Sequence, residues 1–194
     1  MKLKGKQVSA IALSAKLQMV STSKVTVSYG NIFEGDFVLK ILSIDPSSNR
    51  IETSTTGIIL LDNAKLENSW VASYGVRGFK EWYETVGSSL KPDFVVVEQF
   101  EARDNDKAKD NSVLETIDFI KMCYPDLILQ RNAGYKSDVP DELLKALGLW
   151  KFEKSHHEDV RAAARLALFY AMRSDIEDFI NGVGELLNGN MEKH

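Results

Sequence analysis

The sequence predicts one α/β domain: a five-stranded mixed sheet with helices on both faces. Three observations predict it. Apolar runs of strand length recur between turn signals from residue 38 onward. Segments of helical period separate the later runs. The run Phe94-Val95-Val96-Val97 is apolar without alternation, as a strand buried on both faces must be.

The elements follow in order. Val38 to Ile44 is the first strand. Thr55 to Leu61 is the second, with Gly57 inside it, and Trp70 to Val76 the third. Together they predict an antiparallel meander. Gly78 to Leu90 reads as a helix, because Phe79, Trp82, Tyr83, Val86 and Leu90 share one face. Lys91-Pro92-Asp93 breaks it, and the fourth strand runs to Glu98. Glu101 to Asn111 is charged and lacks a hydrophobic period, which predicts a loop. A helix from Val113 to Cys123, a strand from Leu127 to Leu129 and a short helix from Asp141 to Leu147 come next, the last ended by Gly148. A long alanine-rich helix is expected from about His156 to Arg173, with a helical tail from Ile176 to Leu187. Residues 38–194 form the expected domain and 1–37 a basic N-terminal extension. Within the extension, Gln7 to Val20 fits a helix or a strand pair, and Lys24 to Tyr29 alternates like a strand.

Composition bounds the function. The chain has 194 residues, 44% hydrophobic and 27% charged, enough for one sizeable core. No apolar stretch is long enough to span a membrane. The single cysteine, Cys123, cannot close an internal disulfide and reads as a small buried hydrophobe. The N-terminal Met-Lys-Leu-Lys-Gly-Lys is followed by a short Ser/Ala-rich stretch broken by Lys16, a poor export signal. A cytoplasmic protein is the expectation. Net charge is −4, yet residues 1–30 carry five lysines and no acid. A basic arm of this kind either contacts nucleic acid or is simply solvated.

Chemistry is suggested by four polar residues. Asp45 ends the run Val38 to Ile44, and Glu98 ends Val95-Val96-Val97. A carboxylate at the end of a buried strand is costly unless paired. Asp45 before Pro46-Ser47-Ser48 also reads as a turn former, and Glu98 as a strand end meeting water. Ser155-His156-His157-Glu158 fits a capping box, which gives Glu158 a structural task. Asp159 lies beyond it, on one face with His156, and that face continues through Val160, Ala163, Ala167 and Tyr170. Alone, the histidines read as exposed and Asp159 as a partner of the helix dipole.

Taken in order, Ser43-Ile44-Asp45-Pro46-Ser47-Ser48, Thr56-Gly57, Val95-Val96-Val97-Glu98 and His156-His157-Glu158-Asp159 resemble the RuvC-like Holliday junction resolvases, closest to their phage and Gram-positive branch. The resemblance spans roughly residues 38–173. It implies an RNase H-like fold, a homodimer, and metal-dependent nicking of four-way DNA junctions or other branched DNA in recombination and repair. By position it implies Asp45, Glu98 and Asp159 as metal-holding acids, with His156 where family members carry Asp or His. Oxygen ligands of this kind suit Mg²⁺ or Mn²⁺. Two ions about 4 Å apart serve in-line phosphodiester cleavage. Lys136 resembles a family lysine that contacts phosphate, and Phe100 lies near a family aromatic that wedges into the junction. Arg103, Lys107 and Lys109 are candidates to line DNA. Three features depart from the family: the long segment before the first strand, the long hairpin from Asp45 to Gly57, and an acidic body. Two alternatives stay open: a non-catalytic junction-binding domain, and an RNase H-type nuclease acting on RNA–DNA hybrids.

Overall fold

The structure is a computed structural model, and it describes residues 39–100, 110–152 and 157–191. A five-stranded sheet forms its centre, in the order β3-β2-β1-β4-β5. The strands are β1 (Lys40–Asp45), β2 (Thr55–Asp62), β3 (Lys65–Ser73), β4 (Phe94–Glu98) and β5 (Ile128–Gln130). β1, β2 and β3 form the expected antiparallel meander. β4 lies parallel to β1, and β5 parallel to β4. The helices are α1 (Gly75–Thr85), α2 (Val113–Cys123), α3 (Tyr135–Asp138), α4 (Asp141–Ala146), α5 (His157–Arg173) and α6 (Glu177–Met191).

Strand alternation divides the core in two. Leu42, Ile44, Ile58, Leu60, Val95 and Val97 face α1 and α2, where they pack on Phe79, Trp82, Ile117 and Ile120. Ile41, Ile59, Leu61 and Val96 face the other way, onto Val160, Ala163, Ala164 and Ala167 of α5 and onto α4 and α6. The second face positions the site. Because side chains alternate, Asp45 shares it with Ile41, Glu98 with Val96, and Thr55 and Gly57 with Ile59. Both acids therefore project toward α5.

Helix α5 lies unusually close to the sheet. Its alanines 163, 164, 167 and 171 are fully buried. At its start, a Cβ on Gly57 would fall 2.2 Å from the Asp159 carbonyl carbon and 2.6 Å from the Val160 nitrogen. Only glycine admits the helix there. Gly57 is also the cross-strand partner of Asp45, so this close approach sets Asp159 beside Asp45.

The boundaries differ from expectation at several places. β3 begins at Lys65 rather than Trp70 and ends at Ser73, so Val76 belongs to α1. Asn63 and Ala64 join β2 to β3 in a tight turn with φ of 43° and 69°. The left-handed conformation favours glycine, and alanine concealed the turn. The outer strand's Lys65-Leu66-Glu67-Asn68 is largely exposed, and a register shift at Leu60/Leu61 blurs the alternation further. α1 starts three residues early and closes in a 3₁₀ turn, Gly87–Ser89. β5 is displaced by one residue, α3 was not foreseen, and α6 extends past Leu187 to Met191. The ambiguous readings within residues 1–37 lie outside the described residues. Cys123 is half-buried, and burial pushes its thiol up, in keeping with a packing role.

Candidate active site

Asp45 and Glu98 stand at the carboxyl ends of adjacent parallel strands. Glu98 lies close enough to act on the Asp45 carboxyl. Burial raises the Asp45 carboxyl well above the usual carboxylate range; Glu98 and then the Asp159 charge raise it further. A cluster of acids that repel one another is a site waiting for positive charge.

Neighbouring residues hold the other two acids. The Thr55 hydroxyl donates to Asp159 Oδ2. The Asn132 amide donates to Glu98 Oε1, across the join between β4 and β5, where the Gln99 N–H also donates to the Gln130 carbonyl at 2.9 Å. Among the described residues no three Asp, Glu, His or Cys side chains close into a metal cage: Glu98 is held by Asn132, while Asp159 turns onto Thr55. The donor set is nevertheless the right one for a hard divalent cation, since all three groups offer carboxylate oxygens.

The loop following Asp45 is clamped. The Ser47 N–H donates to Thr56 Oγ1 at 3.1 Å, and the Thr116 hydroxyl donates to the Ser47 carbonyl at 3.0 Å. The Asn49 N–H donates to Ser112 Oγ at 2.9 Å, and the Asn49 amide to Glu115 at 2.7 Å. Ser48 bonds Asp110. These bonds tie the end of β1 to β2 and α2, and so fix the direction in which Asp45 points. The Asp-Pro-Ser-Ser segment is thus an anchored loop that leaves β1 directly after the acid.

The remaining candidates are spread more widely. Lys136 is exposed on α3, on the segment that leaves β5 beside Glu98. Phe100 is half-buried and packs against the core shared with α1 and α2. Glu158 is 93% exposed and reaches toward Arg161 at 3.8 Å, consistent with its exclusion from the acid set. His156, Ser155, Arg103, Lys107 and Lys109 lie outside the described residues. Sequence reasoning missed Thr55 and Asn132. Thr55 was within reach, because it stands two residues before Gly57 on the same strand face. Asn132 required knowing that β5 lies beside β4.

No protein-family model and no curated protein matches the sequence. Solved structures do. T. thermophilus RuvC in complex with a Holliday junction substrate superposes with a TM-score of 0.52 at 15% identity, covering 72% of this chain and 98% of that one. The fold is therefore the RNase H-like α/β fold of RuvC. This chain contains nearly the whole of that architecture and adds to it.

Proposed function

We propose that this protein is a metal-dependent endonuclease that nicks branched DNA, with four-way junctions as its main substrate. One observation carries the reading: Asp45 and Glu98 stand at the carboxyl ends of parallel β1 and β4, and the close approach at Gly57 brings the start of α5, with Asp159, to the same end of the sheet. The fold shared with a junction-bound RuvC supports it. Fold alone does not define an activity, and the acid cluster supplies the chemical part of the argument.

Asp45, Glu98 and Asp159 would hold one or two Mg²⁺ or Mn²⁺ ions. Such ions supply an activated water and stabilise the leaving 3′ oxygen in an in-line displacement. Asp45 would have to be deprotonated to serve as a ligand, because its carboxyl is raised by burial and by its acidic neighbours. Asn132 orients Glu98, and Thr55 orients Asp159. His156, three residues before Asp159, assists as ligand or proton carrier. Lys136 neutralises phosphate beside the cluster, and Arg103, Lys107 and Lys109 do so along the flanking DNA. Phe100 contacts the opened junction. A homodimer places two such sites on one symmetric substrate, the arrangement that paired nicks require.

The test is substrate preference. Labelled four-way junction, linear duplex and RNA–DNA hybrid are incubated with Mg²⁺ or Mn²⁺. Preferential nicking of the junction is the expected result. Preferential cutting of the hybrid would reassign the enzyme to RNA-strand cleavage, and binding without cutting would reassign it to a non-catalytic junction-binding domain.

A further inference from the structure

Behind the acids, on the opposite face of the sheet, the same strand ends carry a set of buried hydroxyls. Ser47 is 8% exposed, and Thr56 and Thr116 are fully buried. Alternation explains the placing. Thr55 and Gly57 of β2 turn toward α5, so Thr56 between them turns toward α2. There Ser47, just past the end of β1, bonds both Thr56 and Thr116 of α2.

The need for this set follows from Pro46. The β1–β2 ladder pairs residues as far as Asp45 and Gly57. Proline has no N–H and cannot extend it. The next donor, the Ser47 N–H, goes to the Thr56 side chain instead, at 3.1 Å. The Ser47 and Thr56 hydroxyls share a second hydrogen bond at 2.9 Å. The Thr116 hydroxyl donates to the Ser47 carbonyl at 3.0 Å. Both backbone polar groups of Ser47 are thus held, one by β2 and one by α2.

Thr56 also stands where the supports of two acids meet. Thr55 before it donates to Asp159. Gly57 after it pairs with Asp45 and admits the first turn of α5. One hydroxyl therefore joins the chain just after Asp45 to the piece of β2 that receives Asp159.

We propose that Thr56 is a positioning residue: through Ser47 it fixes the spacing of Asp45 and Asp159, and that spacing suits the site to Mg²⁺. The proposal rests on the metal-site reading above. Mg²⁺ demands near-ideal octahedral geometry with short ligand bonds, whereas Ca²⁺ accepts longer and more irregular ones. Acids delivered by different elements, β1 and α5, meet the stricter demand only if those elements are locked together. Thr56 supplies the lock from the far face of the sheet.

Thr56→Val tests it, because valine keeps the shape and removes the hydroxyl. The readout is calorimetric titration of the full chain with Mg²⁺ and with Ca²⁺, which needs neither DNA nor turnover. Mg²⁺ affinity is expected to fall about tenfold, a usual loss when a group supporting a metal ligand is removed. Ca²⁺ affinity is expected to stay within about threefold of wild type, since its coordination shell adapts. Thr56→Ser keeps the hydroxyl and is expected to restore Mg²⁺ binding. Equal losses for both ions, or no loss for either, would overturn the proposal and leave the metal site standing. Failure of Thr56→Ser to restore Mg²⁺ binding would do the same. If Thr56→Val does not fold, Thr116→Val takes its place, because it releases the Ser47 carbonyl. The same loss confined to Mg²⁺ is expected there, and equal affinities or equal losses would contradict the proposal. Wild type that binds neither ion would remove the metal reading and this proposal with it.

Discussion

Asp45 concentrates the physics of the site. It lies near two other acids with no compensating arginine or lysine among the described residues, and its carboxyl is raised chiefly by burial, then by Glu98 and Asp159. Metal-free protein therefore carries an electrostatic strain that Asp45→Asn relieves. In EDTA at neutral pH the variant is expected to melt a few degrees higher, since ~1 kcal/mol corresponds to roughly 2–4 °C in a chain of this size. The sign with pH follows. The folded carboxyl binds its proton more tightly than the unfolded one, so its contribution is full below the unfolded value of about 3.9 and is lost as pH rises through the higher folded value. The stability gap between wild type and Asp45→Asn should widen over that rise in EDTA, as read by thermal melts. Added Mg²⁺ is expected to stabilise wild type more than the variant; equal stabilisation would mean that the ion binds elsewhere. Asp45 and Glu98 were legible in the sequence because each breaks an apolar run. The partners that orient the acids were harder to see, because Asn132 and Thr55 are ordinary polar residues until the sheet order brings them to the site.

At the scale of elements, everything turns on the seating of α5. Gly57 and the buried alanines bring its first turn onto β2, and Asp159 arrives with it. Gly57→Ala forces the helix away, because the new methyl group would meet backbone that cannot rotate aside. The expected cost is about 1–3 kcal/mol of stability, measured by chemical denaturation, together with a large loss of nicking. Retained activity at full stability would show that Asp159 is not delivered by this close approach. The strands with clean hydrophobic runs, β1, β2 and β4, were readable to within two residues. β3 was not, because it is an edge strand whose exposed half carries Lys65, Glu67 and Asn68, and because Ala64 occupies a turn position where glycine would have announced the hairpin. The alanine stripe of α5 was legible as a core face, whereas its closeness to the sheet depended on Gly57, a residue that in sequence is only an interruption in a strand.

At the scale of the whole molecule, the proposed function requires a chain of net charge −4 to bind a polyanion. The asymmetry offers a solution. The five lysines of residues 1–30 leave the rest of the chain close to −9, so we propose that the N-terminal extension supplies much of the sequence-independent attraction to DNA. Replacing Lys2, Lys4, Lys6, Lys16 and Lys24 with glutamine is expected to weaken junction binding and flatten its salt dependence, by up to about 0.9 in log–log slope for each phosphate no longer neutralised. An unchanged slope in a binding titration would assign the attraction to other residues. Among the described residues no helix is long and apolar enough to cross a membrane. The central claim, that the three acids form a metal site which cuts branched DNA, has one direct measurement: a synthetic four-way junction labelled on each strand in turn, incubated with Mg²⁺ or Mn²⁺ and either wild type or Asp45→Asn. The account predicts paired nicks at symmetric positions in opposing strands, dependent on metal and absent from the variant. Tight junction binding without nicks under either metal, or nicks that survive Asp45→Asn, would contradict it.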